Sequence, residues 1–385
     1  MADYCQIPNA VEKVFAASHC SVAYIGGSLT TAAGASNTAE TSWRALFTQY
    51  LYREYHTRYQ CQVSEVMGGL GASESYPAAF TLVRNVLPNN PDLAMVEFCV
   101  NDRVAPDKEL VFKGMEGLVR QLMCAGHRCD VMIIGAGCRP GSNPKGPDGC
   151  IDQSLHRQVA VHYDLPFVDV QGYIHRTLAE RGQTWDDVSI EFAQGDDLHL
   201  NDYGNRLWFE ALRESFEEQV GLFQAGKRKE RKAPVPAPIF SDEFQHVEII
   251  DPARKHPAVV LEGPWQRKPD GYVPWYFDHL LMGRPGARLT LTFTGSAVCV
   301  WGLMYNNGLK LNGELDGEKI AGPYFRHTIE FGKGMVLAHG LPHARHVLVL
   351  TVGEPNKKHN KQPDPTVQIG YLGIARRPEA AIEKE

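Results

Sequence analysis

The sequence lacks the marks of several protein classes. No apolar run reaches the roughly 20 residues of a membrane-spanning helix. The opening Met1-Ala-Asp-Tyr-Cys5-Gln-Ile has no basic stretch, apolar core or small-residue cleavage site, so it does not read as a signal peptide, and a cytoplasmic protein is expected. Positive charge is in deficit, 39 Lys and Arg against 45 Asp and Glu, a formal net charge of -6, which speaks against a nucleic-acid binder. The nine cysteines form no C-x-x-C pair and are irregularly spaced, so a disulfide framework is not expected. Most read as small apolar groups in a reducing compartment. There is no H-E-x-x-H, no G-x-x-x-x-G-K-[ST] and no complete G-x-G-x-x-G. Neither a metal nor a cofactor is called for.

What is there is ordinary globular composition, 43% hydrophobic and 22% charged, which argues against disorder. A chain of 385 residues exceeds one comfortable core, so two domains are expected. Up to about residue 225, short apolar runs alternate with amphipathic stretches. Val22–Ile25, Cys61–Met67, Leu93–Cys99, Val131–Ala136 and Pro166–Val170 read as strands. Thr41–Tyr55, Ser75–Val86, Asp107–Ala125, Asp152–His162 and Tyr203–Gln219 read as crossover helices. This is a βαβ series, an α/β domain with a doubly wound parallel sheet, whose ligands bind at the carboxyl ends of the strands.

The texture then changes. Lys227-Arg228-Lys229-Glu230-Arg231-Lys232 runs into Ala233-Pro-Val-Pro-Ala-Pro238, which reads as a solvated, stiff spacer over 226–240 rather than an anion-binding patch. From 241 to 385 no long helical period appears. Leu289–Phe293, Ala297–Leu303, His327–Phe331 and His346–Val352 read as strands, and Asn312-Gly313 and Asp316-Gly317 as hairpin turns, so an all-β sandwich is expected.

Four short segments carry chemistry. Val22-Ala-Tyr-Ile-Gly-Gly-Ser28 runs a buried strand into two glycines and a hydroxyl, which places Ser28 where an α/β ligand site is expected. Gly68-Gly-Leu-Gly-Ala-Ser73 follows the second strand and could offer backbone N–H groups to an oxyanion, and the Asn101 amide in Val96-Glu-Phe-Cys-Val-Asn-Asp102 could do the same. In Asp196-Asp-Leu-His199 a carboxylate three residues before an imidazole can fix its tautomer, as a general base requires. Spacing alone does not choose among Asp196, Asp197 and Asp202. Each segment also has an ordinary reading, as a turn, a glycine loop or a helix cap. Their order along the chain, each after a strand or before the last helix, is what makes them a set.

Together they resemble the SGNH, or GDSL-like, hydrolase superfamily over about residues 20–220. The resemblance implies a flavodoxin-like sheet in a catalytic domain over 1–225. It implies Ser28 as nucleophile, Asp196 and His199 as its relay, and Ser28, Gly71 or Ala72, and Asn101 as oxyanion donors. Gly27 stands where the family often has Asp, and Cys99 where it often has Gly; neither departure removes a reacting group.

The layout as a whole resembles carbohydrate esterases, most closely the mannan acetylesterases of carbohydrate esterase family 17. These join an SGNH domain to a C-terminal module like those that bind carbohydrate, a jelly-roll sandwich of the galactose-binding-like type. That implies a serine esterase removing O-acetyl groups, such as 2-O-acetyl groups of mannan-derived oligosaccharides, with no nucleic-acid or membrane partner. A homodimer is one way for the sandwich to complete the active-site wall. Trp275, Tyr276, Tyr305 and Asn306 are the best sugar-facing candidates, although a sandwich core also needs large side chains. A lipid or acyl-thioester hydrolase and a non-catalytic glycan-binding protein are the competing readings.

Overall fold

The computed structural model describes residues 2–105, 107–126, 129–143, 145–190, 196–228, 235–268, 277–304, 309–322, 331–355 and 365–376. The chain divides into two compact units. One runs to Ser75 and resumes over Asn85–Ser241; the other joins Tyr76–Arg84 to Asp242 and beyond. Among the described residues no helix is long and apolar enough to cross a membrane.

In the first unit β1 (His19–Gly26), β2 (Gln62–Met67), β3 (Leu93–Glu97), β4 (Asp130–Gly135) and β5 (Phe167–Asp169) form a parallel sheet in the order β2-β1-β3-β4-β5. The direction of winding reverses between β1 and β3, the crevice where doubly wound folds bind ligands. β1 and β3 read as unbroken apolar runs because both faces are covered: Val22–Ile25 and Leu93–Val96 are fully buried. Gly26 pairs with Glu97, so the two strands end side by side.

The principal helices are α1 (Pro8–Val14), α2 (Trp43–Leu51), α3 (Cys99–Asp102), α4 (Lys108–Cys124), α5 (Ser154–His162), α6 (Val170–Glu180) and α7 (Asp202–Gln224). Capping sets their starts. Ser42 accepts from the Ala45 N–H at α2, Asp107 from Glu109 at α4, and Asn201 from Gly204 at α7. Trp43 and Trp208 stack at 5.3 Å between α2 and α7, both fully buried. A buried ring of this kind contributes upward of about 2 kcal/mol.

Two expectations fail here. Ser75–Val86 is not one helix but two single turns, Ser75–Ala78 and Leu82–Asn85. Its apolar residues are claimed by the other unit, where Phe80 packs on Phe244 and the Pro77 carbonyl accepts from the Trp301 indole. Nor are the last residues of the spacer free. Residues 229–234 lie outside the described residues, but the buried Glu116 carboxylate of α4 accepts the N–H groups of Ile239, Phe240 and Ser241 at 2.6–2.9 Å, and the Pro236 carbonyl accepts from Arg120. All nine cysteines are among the described residues, none is in a disulfide, and seven are buried.

The second unit is a sandwich of antiparallel sheets. One has the order β13-β12-β15-β10-β7, from Glu318–Ile320, Leu311–Leu315, Ala344–Val352, Arg288–Gly295 and Val259–Glu262. The other has β14-β11-β16-β9-β8, from Phe331–Ala338, Ala297–Met304, Val367–Ala375, Leu280–Gly283 and Trp265–Lys268, with β6 (Val247–Ile250) also on β16. Alternate residues of β10 and β15, such as Leu289, Leu291, Leu348 and Leu350, fill the core. Asp316-Gly317 makes the expected two-residue hairpin turn, both residues at positive φ. Asn312-Gly313 does not turn. It lies inside β12, where Gly313 pairs with Leu350 and Ile320, because Leu311 and Leu315 hold the strand's buried face. The expected run His327–Phe331 falls largely outside the described residues; Phe331 opens β14.

Candidate active site

The site is built at the carboxyl ends of β1 and β3. Past Gly26 the chain turns sharply, with the Gly27 carbonyl accepting from the N–H groups of Thr30 and Thr31 at 3.1 Å. Both glycines are required by close approach. A Cβ on Gly26 would overlap Thr30 and the Glu97 carbonyl, and one on Gly27 would overlap the Asn101 amide oxygen. A side chain at 27 is therefore incompatible with this placement of the Asn101 amide.

Ser28 Oγ lies 2.8 Å from His199 Nε2, and His199 Nδ1 lies 2.6 Å from Asp196 Oδ2. Asp196 Oδ1 accepts the N–H groups of Leu198 and His199 at 2.8 Å each. Burial alone would raise the Asp196 carboxyl. The His199 N–H, the His199 ring and the Leu198 N–H outweigh it and hold the group below the usual carboxylate range, so it is ionised at neutral pH. An Nδ1–H donated to that carboxylate leaves Nε2 as the acceptor for the serine proton, a tautomer assigned from the hydrogen-bond pattern.

The three carboxylates that spacing left open have separate partners. Asp197 takes the Arg139 guanidinium at 2.7 Å. Asp202 accepts from Ser36 N and Thr41 Oγ1 at 2.8 and 2.7 Å, tying the start of α7 to the loop after Ser28. Asn205 adds to this tie, accepting from Trp43 N and donating to the Leu200 carbonyl. Only Asp196 stands against His199.

After β2 the chain forms a tight loop. Leu70 N donates to the Gly26 carbonyl at 3.0 Å and Ser73 N to the Leu70 carbonyl at 3.2 Å. Between them the N–H groups of Gly71 and Ala72 have no acceptor among the described residues, and neither has that of Ser28. Ala72 holds φ +58, a left-handed conformation uncommon for a residue with a Cβ. On α3 the Asn101 amide oxygen is buried and has no hydrogen-bond partner among the described residues. Free backbone donors and a side-chain amide beside a hydroxyl hydrogen-bonded to imidazole are the parts that acyl transfer uses. Among the described residues no cluster of His, Cys, Asp and Glu has the arrangement of a metal site.

The proposed sugar-facing residues Trp275, Tyr276, Tyr305 and Asn306 lie outside the described residues. Of the other aromatics in that region, Phe277 and Trp301 are fully buried core. The sequence reading passed over Arg139, Asp102 and His156. Arg139 follows an expected strand and Asp102 follows Asn101, but nothing local marks a residue whose partner lies about 50 positions away.

Residues 24–207 match the model of the GDSL-like Lipase/Acylhydrolase family. No curated protein sequence matches. Among solved structures, a two-domain esterase (CEX) active on acetylated mannans superposes with a TM-score of 0.79 at 17% identity, over 97% of this chain and 96% of that one. The same esterase co-crystallized with mannopentaose gives a TM-score of 0.78 at 17% identity, over 98% and 96%. The likeness extends over both units and shows a shared fold. The chain thus carries, over residues 24–207, a GDSL-like lipase/acylhydrolase domain, the domain of a carboxylic ester hydrolase.

Proposed function

We propose that this protein is a serine carbohydrate O-acetylesterase that uses Ser28, His199 and Asp196 and acts on acetylated manno-oligosaccharides. The observation that carries the reading is the continuous hydrogen-bonded line from Ser28 Oγ through both nitrogens of His199 to Asp196, with Ser28 and His199 only partly buried. The shared two-domain fold with an esterase active on acetylated mannans supports the choice of substrate.

In the first half-reaction Ser28 Oγ attacks the acetyl carbonyl carbon and its proton passes to His199 Nε2. Asp196 stabilises the imidazolium. The tetrahedral oxyanion is met by the N–H groups of Ser28 and of Gly71 or Ala72, and by the Asn101 amide. The bond to the sugar oxygen breaks, and His199 returns the proton to that oxygen. Water then attacks the acetyl-serine by the same relay, releasing acetate. Loss of one oxyanion donor costs about 3–4 kcal/mol of barrier.

The test is acetate release from acetylated manno-oligosaccharides by the wild type and by Ser28→Ala, with the acetyl position followed by NMR. Loss of release in the variant is expected. Undiminished release from Ser28→Ala would falsify the mechanism. A preference for long acyl chains on p-nitrophenyl esters would move the substrate class from sugars to lipids.

A further inference from the structure

Behind Asn101 lies a second His–Asp pair that the acyl-transfer scheme does not use. Asp102, the last residue of α3, is 2% exposed, and His156 of α5 is 3% exposed. Their side chains meet at 3.0 Å, His156 Nε2 to Asp102 Oδ2. The other carboxylate oxygen, Oδ1, accepts the backbone N–H of Ser75 at 2.9 Å. Ser75 closes the loop that carries Gly71 and Ala72. That loop is therefore fastened at both ends, to the end of β1 by Leu70 N on the Gly26 carbonyl and to α3 by Ser75 N on Asp102. Between the fastenings sits Ala72 at φ +58, a conformation that persists only where its surroundings over-determine it. One buried carboxylate thus joins the two backbone segments that bear the candidate oxyanion donors.

We propose that Asp102 and His156 are positioning residues, holding the Leu70–Ser75 loop in register with Asn101 so that donors from two different strand ends converge on one oxyanion. The proposal rests on the esterase reading for its effect on rate, but not for its effect on the loop. The pair's buried setting explains why it has two members. A carboxylate this deep is costly unless it is paired and hydrogen-bonded, and removing one partner leaves the other as an uncompensated charge. Glu97 of β3, also fully buried, adds a second acid beside the pair. Cys99 and Arg103 face the same cluster, and Lys108 and Asp152 line a cavity of about 270 Å³ with His156 and Asp102. An interaction made only with the transition state lowers kcat and leaves KM largely alone when it is lost.

The experiment compares wild type, Asp102→Asn, His156→Gln and the double variant, in which two neutral amides can rebuild the hydrogen bond. Acetate release is measured per serine labelled by an organophosphate, so misfolded protein does not enter the rate. Hydrogen–deuterium exchange is followed at the amides of residues 70–75. Each single variant is expected to lower kcat about 10–100-fold with KM within about threefold, and to speed exchange at 70–75 but not at 199–201. The double variant recovers most of the lost kcat. Where one single variant fails to fold, the other carries the test. Unchanged exchange at 70–75 overturns the proposal whatever the rate does, and so does an unchanged kcat per labelled serine. A wild type that releases no acetate sinks the esterase reading instead, while exchange still decides whether the pair holds the loop.

Discussion

Two His–Asp pairs stand a few residues apart from the same candidate site, and their settings differ in every respect that matters for chemistry. In His199–Asp196 the side chains are 25% and 12% exposed, and the second ring nitrogen meets a serine hydroxyl. In His156–Asp102 they are 3% and 2% exposed, and the second ring nitrogen, Nδ1, is buried away from water, with the Cys99 thiol beside the ring. A third pair in the sandwich, His346–Asp316, spends its second nitrogen on the Pro342 carbonyl. In the proposed scheme the same two residue types serve as a proton relay, a buried clamp and a turn anchor. What separates them is the group on the far nitrogen and the access of water, not the carboxylate they share.

The sharpest way to break this comparison is to remove the carboxylate from each pair in turn. Asp196→Asn is expected to lower kcat by about 10⁴, because an amide no longer enforces the productive tautomer. Asp316→Asn in the sandwich should leave kcat unchanged and lower only the thermal midpoint. Steady-state kinetics on p-nitrophenyl acetate and a melting curve read both. Comparable kinetic losses in the two variants would remove the distinction.

Next in size is the contact between Gly27 and Asn101. Asn101→Ala is expected to lower kcat about 10²–10³-fold. Gly27→Ala should lower it about 10-fold by pushing the Asn101 amide aside. Because both changes act through one amide, the double variant should be no slower than Asn101→Ala alone. Multiplying losses in the double-mutant cycle would show that Gly27 acts through something other than Asn101.

The parallel sheet was legible because strands covered on both faces read as apolar runs, and Val22–Ile25 and Leu93–Val96 did so. Ser28, Asn101 and His199 were singled out from local signals, a glycine turn, a strand end and a nearby carboxylate, and Asp196 by the family resemblance; the structure brings Ser28, His199 and Asp196 into one line. What local pattern could not show was allegiance at a distance. Ser75–Val86 has the periodicity of a crossover helix, yet Phe80 and Pro77 belong to the sandwich unit, where they meet Phe244 and Trp301. Asn312-Gly313 has turn chemistry, but the buried Leu311 and Leu315 on either side keep it in a strand. Spacing could not choose among three carboxylates near His199, because Asp197 and Asp202 are taken by Arg139, Ser36 and Thr41, residues remote in sequence.

The depth of the second pair also predicts a pH dependence of stability. Burial pulls the His156 imidazolium down, but Cys99 and Asp102 beside it outweigh burial and raise it to about 10. Burial raises the Glu97 carboxyl to about 7. Both groups bind their proton more tightly folded than unfolded, so both contribute stability at low pH and lose it as pH rises. For Glu97 the contribution is complete below about 4.5 and fades through 7; for His156 it is complete below about 6.5 and fades through 10. The urea midpoint should therefore fall from pH 5 to pH 10 in two stages. Glu97→Gln should remove the lower stage and His156→Gln the upper one. A midpoint rising over this range would mean that Glu97 and His156 do not hold their protons more tightly in the fold.

The smallest effect is expected at the rim of the relay. Arg139 reaches Asp197 with Nε at 2.7 Å and Asp186 with Nη2 at 2.6 Å, and its own N–H donates to the Asp197 carbonyl at 2.8 Å. These contacts brace the residue next to Asp196, as Asp102 braces the loop next to Asn101. Here, however, the charges face water: Asp197 is 46% and Asp186 77% exposed. Exposed pairs contribute about 0.2–1 kcal/mol, and the backbone bond survives a change of side chain. Arg139→Met should thus lower kcat only about two- to fivefold, and high salt should bring the wild type toward the same value by screening the pair. The buried Asp102–His156 clamp should respond far less to salt. If Arg139→Met were instead as damaging as Asp102→Asn, and equally so at high salt, burial would not be what sets the strength of a brace at this site.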